Sequence, residues 1–268
     1  TSKVKSMHYM FYYCKILTSL NISFFNTSLV DNMNHMFYNC QSLTSLNLDS
    51  FNTSSVKDMN YMFYNLILTS LNLSSFDTSS VTNMNSMFYN CKLIDTFNLS
   101  HFNTKSLQTM NSMFYGCESL VSLNLSNFDT SLVTTMNYLF KNCKNLISLD
   151  INNFDTSLVE TMSYMFSGCE KFEYINLSIF NTSLVKDISE MFSGCTSLIS
   201  LNLSEIDTSS ITKIKSLFSG CINLVTLDIG NLNTSDIKDM SSFFYNCSSI
   251  KFLNLSYLDT SSMTTMSS

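Results

Sequence analysis

Apolar residues recur along this chain in two alternating rhythms. Over Leu43–Leu48 they fall as L-x-x-L-x-L, and the closing alternation predicts a short strand with Leu46 and Leu48 turned inward. Phe51 follows and turns in as well. Val56, Met59, Met62 and Phe63 then fall at helical spacing, which predicts a helix of one to two turns over Met59–Tyr64. Polar residues set the boundaries. Asn52-Thr53-Ser54 predicts a turn, because an Asn side chain folds back onto nearby backbone amides. Asp58 before the helix is an N-cap type, and Asn65 after it tolerates the left-handed conformation that ends helices.

The same pattern runs from end to end. Its threonines stand at Thr1, Thr27, Thr53, Thr78, Thr104, Thr130, Thr156, Thr182, Thr208, Thr234 and Thr260, every step 26 residues except one of 25 before Thr78. Ten repeats and a C-terminal partial one therefore fill residues 1–268 as a single repeat domain. So short a helix is not stable alone, and the copies must stack to bury their apolar faces. The expected fold is an α/β solenoid with one parallel β-sheet face and short helices on the opposite face. Neither end departs from the repeat: Val4, Met7, Met10 and Phe11 open it, and Met263 and Met266 lie in the closing stub. The expectation is an excerpt of a longer solenoid, or a subunit stacked end to end into filaments.

Composition narrows the function classes. The net charge is −6, all 14 basic residues are Lys, and no basic stripe exists, so a nucleic-acid partner is not expected. No run approaches the length of a membrane span. Nine cysteines occupy one column, from Cys14 to Cys247, with Leu66 filling the gap. Stacked in register and odd in number, they read as buried free thiols rather than a disulfide framework. His8 and His35 lie on adjacent repeats without a matching carboxylate or Cys, so no metal is expected. No Ser/His/Asp grouping, carboxylate pair or phosphate loop stands out, so neither catalysis nor a cofactor is expected.

The motif L-x-x-L-x-L followed by F-[DN]-T-S-x-V-x-x-M-x-x-M-F-x-x-C resembles the BspA-like leucine-rich-repeat surface proteins, over the whole chain. The resemblance implies a leucine-rich-repeat stack at a cell surface or outside the cell. It implies adhesion, or binding to a protein or cell-surface ligand, and supplies no catalytic residues.

The outward strand positions are the candidate binding face. One column reads Asn21, Asn47, Asn72, Asn98, Asn124, Asp150, Asn176, Asn202, Asp228 and Asn254. Serine fills most of the positions flanking it, and the bland reading is a solvated face whose Asn side chains bond along the stack. Glu173, Tyr174, Lys251 and Phe252 break the monotony and are the first candidates for specific contacts. Asn124, Asn176 and Asn202 complete the candidate set.

Overall fold

The fold comes from a computed structural model, which describes residues 1–204, 206–230 and 232–267. Successive repeats stack as expected, and each residue lies beside its counterpart one repeat away. On the sheet face, β1 (Ser122–Asn124) pairs parallel with β2 (Ser148–Asp150), and β3 (Ser200–Asn202) pairs parallel with β4 (Thr226–Asp228). The registers are Leu123 beside Leu149 and Leu201 beside Leu227. The strands are shorter and fewer than one per repeat. A local cause limits their length: Asn124 Oδ1 accepts the Ser126 amide at 2.9 Å, which takes that amide away from the ladder.

The helices expected on the opposite face are absent among the described residues. Met59–Tyr64 is instead a chain of tight turns. Tyr61 (φ 54°) and Asn65 (φ 58°) are both left-handed, which a right-handed helix excludes. Met62 N–H bonds Met59 O at 3.2 Å and Tyr64 N–H bonds Tyr61 O at 3.2 Å, closing three-residue steps. The alternate amides leave the repeat: Met59 to Asn83 O at 3.0 Å, Tyr61 to Asn85 O at 2.9 Å and Phe63 to Met87 O at 3.0 Å. A helix would spend all of these within one copy. Turns spend half of them on holding copies together, which suits a segment too short to be helical alone. The left-handed conformation expected at the Gly and Asn column is present, from Asn39 (φ 59°) to Gly220 (φ 77°), but it ends a turn rather than a helix. Asp58 does not cap a helix either. Its Oδ1 accepts the Asn60 amide at 3.0 Å in an Asx turn, and its backbone bridges Asn32 and Asn83 in neighbouring repeats.

The core is a set of columns. Phe37, Phe63, Phe88 and Phe114 are fully buried and stack ring on ring, for instance Phe37 on Phe63 at 5.9 Å and 4°. A second buried column is polar. Thr104 Oγ1 donates to Asp129 O at 3.1 Å and accepts from Asp129 N–H at 2.7 Å, satisfying both backbone groups of the next repeat. Equivalent bonds run from Thr27 to Asn52. All nine cysteines are free. Eight of them, Cys40 to Cys247, donate Sγ–H to a Phe carbonyl of the preceding repeat, as Cys117 does to Phe88 O at 3.2 Å. Burial is not uniform, however. Cys14 and Cys247 are only half-buried, because the column has a covering repeat on one side alone at those two positions.

Candidate functional site

The sheet face is where the repeat is least uniform. Between β2 and β3 lies the repeat carrying Glu173, Tyr174, Ile175 and Asn176, which joins neither strand pair. Tyr174 stands out from the surface at 61% exposure. Beside it is a shallow hollow of about 260 Å³ lined by Ile147, Leu149, Asn152, Phe172, Tyr174 and Asn176. A second hollow of about 280 Å³ lies at Phe252, lined by Leu227, Asp228, Gly230, Phe252, Asn254 and Tyr257. Phe252 is 78% exposed, a large apolar surface to leave in water. Glu173 and Lys251 are exposed at the residue before each ring.

Asn124, Asn176 and Asn202 do not bond along the stack through Oδ1. Each Oδ1 is already engaged within its own turn: with Ser126 N–H and Oγ–H at 2.9 and 2.7 Å, with Ser178 N–H and Oγ–H at 3.0 and 2.8 Å, and with Ser204 N–H at 2.8 Å. The column therefore shapes the end of the strand rather than bonding along the stack. Asn72 departs from this in part, since its Nδ2 also donates to Asp49 Oδ1 across repeats at 3.1 Å.

A further feature of this face was not singled out in the sequence. Val121, Ile147, Ile199 and Val225 occupy the position that Thr18, Thr44 and Thr69 hold nearer the N-terminus. All four are exposed, Ile147 at 62%. Their spacing by whole repeats places them side by side in two pairs with Glu173 between, as Ile147 N–H to Val121 O at 2.9 Å and Val225 N–H to Ile199 O at 2.8 Å show. The signal was present as an exchange of Thr for Val or Ile in a column of constant phase.

The turn face holds an aromatic ladder that the sequence reading also passed over. Tyr12, Tyr38, Tyr64, Tyr89 and Tyr115 stack with centroids 5.0, 4.2, 4.6 and 4.2 Å apart. His35 lies between Tyr9 at 4.6 Å and Tyr61 at 4.7 Å, and burial lowers its pKa against the opposing pull of Asp58. His8 Nδ1 and Ser6 Oγ are hydrogen-bonded at 2.7 Å. Among the described residues no group of three or more His, Cys, Asp or Glu is placed to hold a metal. Another hollow, of about 680 Å³, lies beside Lys213, Lys215, Lys238 and Asp239. Its charges are largely matched, with Lys213 to Asp187 at 3.8 Å and Lys215 to Asp239 at 3.7 Å. Among the described residues no helix is long and apolar enough to cross a membrane.

Several solved structures align with this chain at low identity. A leucine-rich repeat protein from Bacteroides ovatus aligns over 98% of this chain and 78% of its own at 18% identity, with a TM-score of 0.42. One from Eubacterium ventriosum aligns over 88% of this chain and 72% of its own at 16% identity and a TM-score of 0.44. A leucine rich cell surface protein from Faecalibacterium prausnitzii covers 84% of this chain and 76% of its own, at 18% identity and a TM-score of 0.31. No curated protein matches the sequence. The family profile described as "Mycoplasma protein of unknown function, DUF285" matches residues 1–95, 44–123, 117–226 and 174–268. Those overlapping matches span the whole repeat array, and the chain belongs to the DUF285 family.

Proposed function

We propose that this chain is a non-catalytic binding protein of the cell surface or extracellular space, and that its sheet face takes a protein or cell-surface ligand. The observation that carries this reading is a pair of exposed rings on the sheet face, each beside a hollow and accompanied by exposed Val and Ile side chains. Val121, Ile147, Tyr174, Ile199, Val225 and Phe252 are exposed there, with a hollow at each ring. Exposed rings beside hollows are the form that interface anchors take. The resemblance to BspA-like surface proteins agrees with an adhesive role. Tyr174→Ser and Phe252→Ser test it, because Ser148 and Ser200 already fill this position in other repeats and the fold should tolerate the change. Binding to cells or matrix-protein surfaces should fall in both variants. Unchanged binding would remove these rings from the site.

A further inference from the structure

We propose that the tyrosine ladder of the turn face is a site of oxidative cross-linking, where one-electron oxidation joins consecutive repeats through dityrosine bonds. The ladder lies off the sheet face, and its chemistry is independent of what binds there. The first support is geometry. Tyr38 and Tyr64 lie 4.2 Å apart at 6°, and Tyr89 and Tyr115 lie 4.2 Å apart at 4°. Rings so close and so nearly parallel lay the ortho carbons of one phenol against the face of the next. Phenoxyl radicals couple at those carbons. The buried Phe column also stacks, as Phe37 does on Phe63, but it has no O–H to lose. The chemistry is therefore confined to the Tyr column.

The second support is what surrounds the ladder. The chain has no Trp, so Tyr is its readiest aromatic electron donor. The thiols that would compete are buried and held protonated, as burial does to Cys91. The ladder instead opens to solvent at Tyr12, which is exposed together with its neighbours Tyr9 and Tyr13 at 4.9 and 4.7 Å. The oxidant is hydrogen peroxide acting through a haem peroxidase. Each of two tyrosines gives up one electron, and its phenolic proton passes to water. The two phenoxyl radicals form one C–C bond between ortho carbons, and the hydrogens displaced from those carbons move to the phenolic oxygens. The two electrons and two protons released reduce one peroxide to two waters. The bond ties together residues 26 apart, so it constrains the unfolded chain as a disulfide would, in a protein whose cysteines are all free.

The whole chain, kept dilute, is treated with a haem peroxidase and hydrogen peroxide, digested with trypsin and read by mass spectrometry. Lys57 separates Tyr38 from Tyr64, and Lys92 and Lys105 separate Tyr89 from Tyr115, so each bond joins two peptides. Tyr174, Tyr245 and Tyr257 are the internal controls. They are more exposed than any ladder ring, and among the described residues no aromatic ring stacks on them. Exposure alone puts the products at those three, whereas stacking puts them in the ladder. The ladder products should exceed those of the three lone rings by about tenfold, because an oriented partner in contact acts at a high effective concentration. Tyr115→Phe keeps the ring and removes the O–H. Its Tyr89–Tyr115 product should vanish while the Tyr38–Tyr64 product remains, with a thermal melt to confirm the fold. In urea the excess of ladder products should disappear. Products distributed by exposure, ladder products formed equally well in urea, or no dityrosine from the folded chain would each overturn the proposal.

Discussion

At the scale of single residues the solenoid is held by side chains that finish the hydrogen bonding of the next copy. Thr104 shows how much rests on one atom. Its Oγ1 serves both the N–H and the C=O of Asp129 while buried at the core. Thr104→Val keeps the shape and removes both bonds, so urea denaturation should show a loss of about 1–3 kcal/mol. The cysteines behave differently. Burial pushes Cys40 up to about 11 and Cys91 up to about 12, from an ordinary 9. Above pH 9 the unfolded chain releases thiol protons that the folded chain keeps. The unfolded state then binds fewer protons, so stability falls as pH rises from 9 through these values. The urea midpoint should drop over that interval. Alkylation of the native protein should reach Cys14 and Cys247 first and leave the buried thiols until unfolding. On the acid side, Ser131 bonds hold Asp129 below its ordinary 3.8, and Asp77 and Asp155 are lowered in the same way by Ser79 and Ser157. That stabilisation is present above 3.8 and is lost as pH falls through the lower, folded-state values.

At the scale of the element, the contrast between a helix and a run of turns has an opposite sign in one experiment. Ser112 sits at φ 56°, in the left-handed region, at the place a helix would have its interior. In a helix Ser112→Gly would cost some stability, since glycine is among the poorest helix formers. In the turn it relieves a left-handed cost of about 1–2 kcal/mol against an entropic loss of about 0.5–1 kcal/mol. Thermal denaturation should therefore show the variant unchanged or slightly more stable. The neighbouring column behaves the other way. Gly194 has φ 72°, and an added Cβ meets only ordinary contacts there, so Gly194→Ala tests conformation without a clash. Ala should cost about 1 kcal/mol and Asn less, because Asn tolerates the left-handed region. The Gly and Asn column was legible in the sequence. The Tyr61 and Ser112 column was not, because Tyr, Ser and Glu carry no left-handed signal of their own and His occurs there once, at His35.

At the scale of the whole molecule, stability is a sum over copies and their contacts with immediate neighbours. Removing one full period, residues 105–130, should leave a folded, shorter and less stable solenoid by circular dichroism and limited proteolysis. Removing half a period should abolish folding, because every column would then meet the wrong one.

The sequence alone determined the period, the buried columns of Phe, Met, Val and Leu, the free state of the cysteines and the exposure of Tyr174 and Phe252. A repeated apolar position has one place to go when copies stack, so phase settles burial. Tertiary structure decided how the backbone between those positions is spent. Met59–Tyr64 has the periodicity of a helix, yet its amides gain more from the next repeat than from each other, and no single copy contains that partner. It also decided that Asn124, Asn176 and Asn202 close their own turns, since an Asn side chain chooses among acceptors and donors only once the backbone is placed. The apolar pairs Val121–Ile147 and Ile199–Val225 became surfaces for the same reason: residues 26 apart in sequence are neighbours only in the stack.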